Sequence, residues 1–191
     1  GPDFVRERRG AFVIAIRDGD VLHLFRDGAG VRTVYYGRHD GRFLFASEPK
    51  GVLAAPGFPR RIRPAAVAQY LTFSFTPGGA TMLQDLHELP PGHWVTFDGG
   101  EPRLHRWFVF EEQDGDDAPE SVWRQRFART FREAVEERLP EDEPVGLFLS
   151  GGIDSSVVAA EAARRHDRSV RTYALYFGDD YPHELDFARA V

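Results

Sequence analysis

The chain of 191 residues contains no cysteine. Disulfides, thiolate metal sites and a cysteine nucleophile within these residues are therefore excluded. Lysine is nearly absent too: Lys50 is the single example, so almost every cation is an arginine. No apolar run reaches membrane-spanning length and no signal peptide is visible, so no membrane partner is expected and a cytoplasmic location is. The basic residues are scattered, with Arg60-Arg61 and Arg63 the densest cluster against a net charge of −6. That pattern does not suggest a nucleic-acid surface. The chain starts Gly1-Pro2 in place of Met, which fits either a tag-cleavage scar or the edge of a larger protein. The length is enough for one large or two small domains, and 42% hydrophobic and 13% aromatic residues are enough to bury a core.

Short strands separated by turn residues fill the first part of the chain. Ala11 to Ile16 and Val21 to Phe25 flank Arg17-Asp18-Gly19-Asp20, and Thr33 to Tyr36 pairs with Phe43 to Ala46 around His39-Asp40-Gly41. Four strands joined this way predict an antiparallel sheet. Short helices are predicted over Lys50 to Ala55 and Pro64 to Phe73, the second with Val67, Tyr70 and Leu71 as its apolar positions. Thr76 to Leu86 reads as a loop and Leu89-Pro90-Pro91-Gly92 as a turn, and His93 to Phe97 is expected to pair with Leu104 to Phe108. The run Glu111 to Asp117 is acidic and apolar-poor; its spacing matches no calcium loop, so it reads as a solvated linker.

Beyond the linker the pattern changes. Trp123, Phe127, Phe131, Val135 and Leu139 recur every fourth residue, predicting a helix over Glu120 to Leu139 whose aromatic stripe packs into a core. Val145 to Leu149 reads as a buried strand, Asp154 to His166 as a helix, Val170 to Phe177 as a strand and Glu184 to Val191 as a helix. That alternation predicts an α/β unit with a parallel sheet. In such sheets ligands lie at the carboxyl ends of the strands, where Ser150 falls.

Ser150-Gly151-Gly152-Ile153-Asp154-Ser155-Ser156 joins the first of those strands to its helix. Backbone N–H groups converge at such a helix N-terminus with no intrahelical acceptor, and the helix dipole favours an anion. The two glycines permit positive φ and close approach of a phosphate, while three serine hydroxyls add donors. An ordinary capped helix start is the plain alternative. The spacing is not that of the Walker loop.

The signature resembles the pyrophosphate-binding loop of the ATP pyrophosphatases, and the chain as a whole is similar to the asparagine synthetases, including the β-lactam synthetases and lasso-peptide cyclases. Arg9-Gly10-Ala11-Phe12, Arg26-Asp27-Gly28-Ala29-Gly30 with Tyr35-Tyr36, Ala46-Ser47-Glu48-Pro49-Lys50, Leu89-Pro90-Pro91-Gly92-His93, and Glu184 with Ala188-Arg189 follow the family's motifs in order. The resemblance implies α+β followed by α/β architecture. The first part would be the C-terminal half of an Ntn-type (class II) glutamine amidotransferase antiparallel-sheet domain over residues 1–110, followed by an acidic linker over 111–120. The second would be the first part of an adenine-nucleotide α-hydrolase-like, ATP pyrophosphatase parallel-sheet domain over 121–191.

In function, the resemblance implies a ligase of asparagine biosynthesis type that uses ATP and Mg2+ to adenylate aspartate or another carboxylate. It would release AMP and pyrophosphate before ammonia or an amine attacks. Ser150, Gly151, Gly152, Ser155 and Ser156 would hold the pyrophosphate, and Asp154 the magnesium. Phe148 and Leu175 would line the adenine pocket, with Leu149 also among the nucleotide-contacting residues. The family hydrolyses glutamine with an N-terminal cysteine. The absence of cysteine here leaves open a β-lactam or lasso-peptide type cyclase, or a non-catalytic nucleotide- or partner-binding remnant. The expected partners are ATP, a small carboxylate, and either a second copy or a complementary chain completing both domains. His93, His105 and His183 lack ligand spacing, Lys50 reads as structural, and an ion pair between Arg26 and Asp27 is the expected anchor of their loop.

Overall fold

The computed structural model describes residues 2–111, 115–176, 178 and 183–191, which cluster into two compact units, Gly1–Glu112 and Gln113–Val191. In the first unit a 3-10 helix (Pro2–Glu7) precedes the hairpin of β1 (Val13–Asp18) and β2 (Val21–Arg26). A second hairpin joins β3 (Tyr35–His39) to β4 (Arg42–Ala46). Asp40 and Gly41 supply φ of 48° and 72° at its turn, the paired positive values that match strand twist. Two helices, α1 (Pro49–Leu53) and α2 (Pro64–Phe73), follow, each with proline in its first turn, and then β5 (Leu86–Glu88), β6 (His93–Phe97) and β7 (Arg103–Arg106).

The two hairpins do not share one sheet, as the strand pattern had suggested. The strands order β1-β2-β6-β7 in one antiparallel sheet and β4-β3-β5 in another. Side-chain alternation explains how the two are held. Leu24 and Val95, paired across β2 and β6, join Val34, Leu89, Tyr36 and Phe43 in a cluster that draws on both sheets. Phe25 and Trp94 point to the other face, where Val5, Phe4 and Trp107 cover them. Leu44 and Ala46 pack with Val52 and Leu53 of α1 on the far side of the second sheet. The result is a two-sheet sandwich with a helical segment on each outer face. β5 lies partly in a stretch expected to be loop, and it is too short for any periodicity to reveal it. In α2 the expected apolar face is also corrected: Ala66 is buried, whereas Tyr70 and Leu71 are 46% and 80% exposed.

The second unit contains α3 (Glu120–Glu136), β8 (Val145–Phe148), α4 (Ile153–Arg165), β9 (Val170–Tyr173) and α5 (His183–Ala190). β8 and β9 pair in parallel, from Val145 opposite Val170 to Phe148 opposite Tyr173, with α4 as the crossover. Phe177 and residues 112–114 of the acidic run lie outside the described residues. The aromatic stripe of α3 is not a core. No residue of α3 is buried, and Phe127 is 69% exposed. The helix ends at Glu136, short of the expected Leu139; Phe131 and Val135 of its second half, with Leu139 just past its end, line an apolar groove of about 540 Å³ with Val145, Leu147 and Val158. Periodicity identifies which side of a helix is apolar; it does not supply the surface that covers it. No described helix is long and apolar enough to cross a membrane.

Candidate functional site

The loop between β8 and α4 is shaped by its small residues. Leu149 donates its N–H to the Tyr173 carbonyl at 2.8 Å, extending the parallel pairing, and its side chain is buried at 5% exposure. Phe148, on the alternate face, is 81% exposed. The chain then turns at Gly151, whose φ is 78°. A Cβ there would lie 2.4 Å from Phe187 Cβ and 2.6 Å from the Ala188 nitrogen, so α5 backs the turn closely. Gly152 is extended and caps α4 without a side-chain bond, and Ser156 closes the first helical turn by donating to the Gly152 carbonyl at 3.0 Å. The amides of Ile153, Asp154 and Ser155 therefore have no intrahelical acceptor.

The hydroxyls of the loop hold it together. Ser155 Oγ accepts from the Ser150 N–H at 3.3 Å, lies 3.1 Å from Ser150 Oγ and donates to the Gly152 carbonyl at 3.2 Å. Gly152 N–H is satisfied by Ser150 Oγ at 3.3 Å. These contacts sit at the long end of hydrogen-bonding range, so an incoming anion can replace them at small cost. Ser156 Oγ is buried and has no hydrogen-bond partner. Asp154 is exposed in the first turn, where its carboxylate complements the helix dipole. Among the described residues no group of three or more His, Cys, Asp or Glu side chains could by itself hold a metal. A cation here would thus share Asp154 with ligand oxygens. Leu175 and Tyr176, just past β9, are 66% and 54% exposed. The structure brings Ser150, Gly151, Gly152, Ser155 and Ser156 into one turn, keeps Leu149 in the interior, and leaves Phe148 and Leu175 open to solvent.

In the first unit, the expected Arg26–Asp27 ion pair is replaced by two separate networks. Arg26, 4% exposed, donates to Glu88 at 2.7 Å and to the carbonyls of Gly30, Arg32 and Leu89. Asp27, 1% exposed, accepts the N–H groups of Phe12, Val31 and Arg32. Arg26 ends β2 and Asp27 is the first residue past it, and the two charges serve different partners. Sequence reading missed Glu88 because the pairing depends on how the two sheets pack. Other expected bystanders have structural partners. His93 Nδ1 donates to the Pro91 carbonyl at 2.7 Å, His105 stacks on Trp94 at 4.6 Å, and Lys50 pairs with Glu48 at the surface. The side chain of His183 lies outside the described residues. Burial pushes the His87 imidazole below its ordinary pKa, with Arg63 acting in the same direction.

Residues 1–108 match the family model of the glutamine amidotransferase domain, and residues 126–191 match that of asparagine synthase. The chain is 32% identical over 184 residues to an asparagine synthetase [glutamine-hydrolyzing] 3 of Bacillus subtilis, covering 94% of this chain and 30% of that protein. It is 29% identical over 189 residues to a putative asparagine synthetase [glutamine-hydrolyzing] 2 of Methanocaldococcus jannaschii, covering 95% of this chain and 36% of that one. An amidase chry2 of Gibberella zeae is 31% identical over 165 residues, covering 83% and 24%. The chain thus spans about a third or less of the length of these relatives. With the amidotransferase model covering more than half of it and the synthase model most of the remainder, the chain belongs to the asparagine synthetase family.

Proposed function

We propose that this chain carries the ATP-binding loop of an amide-forming ligase of the asparagine synthetase family, built on an ATP pyrophosphatase fold, which adenylates a small carboxylate such as aspartate. The observation that carries the reading is the Ser150–Ser156 turn, which combines a positive-φ glycine, free first-turn amides and a buried hydroxyl, Ser156 Oγ, with no partner. Such a turn fits the β- and γ-phosphates of ATP. The amides of Gly152 to Ser155 would donate to phosphate oxygens, and Ser156 Oγ would gain the acceptor or donor it lacks. Asp154 is the residue here that would hold Mg2+, which when bound neutralises charge as pyrophosphate separates.

In this reading a substrate carboxylate oxygen attacks the α-phosphorus, the bond from that phosphorus to the bridging oxygen breaks, and pyrophosphate leaves from the turn. Ammonia or an amine then attacks the activated carbonyl and AMP departs. The amides of the turn would hold the leaving pyrophosphate in place, and the dipole of α4 would favour the negative charge developing on it. Phe148 and Leu175, exposed at the ends of β8 and β9, would offer apolar surface to the adenine ring. The first unit would take the amidotransferase part; with no cysteine in the chain, none of these residues supplies a thiol for glutamine hydrolysis.

The test is ATP–pyrophosphate exchange by the protein in the presence of Mg2+, with aspartate and a panel of other carboxylates. Exchange is expected with at least one acid and is expected to fall at least a hundredfold in Asp154→Asn, about 2.7 kcal/mol of lost transition-state stabilisation. Exchange that no acid supports, or that Asp154→Asn leaves at the wild-type rate, would sink the reading.

A further inference from the structure

His166 lies at the opposite end of α4 from the Ser150–Ser156 turn. It is the C-cap of the helix, only 9% exposed, and its N–H donates to the Ala162 carbonyl at 2.9 Å. Both ring nitrogens are used. Arg168 donates its backbone N–H to Nδ1 at 3.0 Å, and Nε2 lies 3.0 Å from the Glu143 carbonyl oxygen. An N–H can only donate and a carbonyl oxygen can only accept, so Nδ1 is bare and Nε2 carries the hydrogen. The first bond is local and completes the cap. The second leaves the helix and reaches the residue just before Pro144 and β8.

β8 and α4 are therefore joined twice. At one end the Ser150–Gly152 turn connects them through the chain; at the other, some 20 Å away along a helix of this length, His166 ties them through Glu143. A rigid helix pinned at both ends cannot slide or tilt against its strand without breaking one of the two. The end of β8 and the N-terminus of α4 bound the turn, so a shift of one against the other changes where its amides point. The ion pairs around the same corner, Arg165 to Glu136 at 3.2 Å and Arg168 to Asp142 at 3.8 Å, are exposed or half-exposed and are weak substitutes.

We infer that His166 is a positioning residue for the phosphate-binding turn, acting through the Nε2–H bond to Glu143 that fixes α4 against β8. The inference rests on the reading of Ser150–Ser156 as the ATP loop.

Two substitutions separate the two bonds. In His166→Asn the side-chain oxygen still reaches the Arg168 N–H but nothing reaches Glu143; in His166→Gln the amide reaches Glu143 and the local bond is lost. Mg·ATP affinity of the full chain is measured by calorimetry for the wild type and both variants, at a temperature where circular dichroism shows all three folded. The expected result is a Kd raised about threefold to tenfold in His166→Asn and near wild type in His166→Gln. The same ordering is expected for hydrogen exchange at the amides of residues 150–155 without nucleotide, which reads the turn directly even where the Asn variant is less stable. Equal affinity of His166→Asn and wild type, or equal weakening in both variants, overturns the inference alone. A wild-type chain that binds no Mg·ATP overturns it together with the nucleotide reading.

Discussion

Gly151 and Gly152 are neighbours with different physical duties. Gly151 stands at φ 78°, and any Cβ there would press to 2.5 Å from the backbone carbon of Phe187. Both the left-handed conformation and the approach of α5 demand glycine. Gly152 is extended at φ −70°, and its nearest neighbour would be Ser150 Oγ at 3.4 Å. Nothing structural forbids an alanine there. Gly151→Ala is therefore expected to cost about 2 kcal/mol or more of stability, and Gly152→Ala less than about 0.5 kcal/mol, in urea unfolding of the full chain. If phosphate approaches the Gly152 amide, Gly152→Ala weakens Mg·ATP binding while leaving stability alone. A destabilised Gly152→Ala with unaltered binding would reverse the assignment of roles. Asp154 belongs to the same scale: it is exposed, so replacing it by asparagine tests the proposed Mg2+ role without disturbing a core.

Among the elements, α3 and α4 show how far periodicity reaches. The apolar stripe that starts at Trp123 in α3 and runs to Leu139 just beyond it is regular in sequence, yet its two halves have different surroundings. Phe127 is 69% exposed and stacks on the ring of Phe131 at 5.9 Å; Val135 and Phe131 face the groove shared with β8 and α4. In thermal unfolding Phe127→Ala is expected to change stability by under about 0.5 kcal/mol and Phe131→Ala by about 2 kcal/mol, between a surface change and a full core deletion. Equal costs would contradict the division of the stripe into an exposed half and a groove-lining half. The strand–turn–helix unit at 145–165 was legible in sequence because every one of its signals is local: an apolar run, two glycines, three hydroxyls and then helical spacing. The partition of the first hairpins between two sheets was not, because the strands carry the same alternation in either arrangement. Glu88 as the partner of Arg26 and Phe187 as the backing of Gly151 were hidden for the same reason. Each contact joins residues far apart in the chain, and neither leaves a mark on its neighbours in sequence.

At the scale of the whole molecule, the apolar cores are distributed unevenly. Among the described residues, all three clusters of buried hydrophobic residues lie in the first unit, whereas the second buries only Leu149, Ala159 and Ala162 among its apolar side chains. Since stability follows buried apolar area, the second unit is expected to unfold first in urea. The tryptophans report the two separately: Trp94 and Trp107 belong to the first unit and Trp123 to the second. Fluorescence of a chain retaining only Trp123 is expected to change at lower urea than that of a chain retaining Trp94 and Trp107. Mg·ATP at a hundredfold excess over Kd should stabilise only the earlier transition, by about 2.7 kcal/mol, and so raise its midpoint alone. A single coincident transition would show that the two units unfold together.

Whether the turn between β8 and α4 seats the pyrophosphate end of a nucleotide is tested most directly by an amide-resolved NMR titration of the chain with Mg·pyrophosphate, which requires neither turnover nor a known carboxylate. The largest saturable shifts are predicted at the amides of Gly151, Gly152, Ile153, Asp154 and Ser155, and they should diminish when Mg2+ is withheld or Asp154 is replaced by asparagine. Shifts that leave those amides unmoved, or that centre on the polar groove of Tyr36, Arg38 and His87 in the first unit, would contradict it.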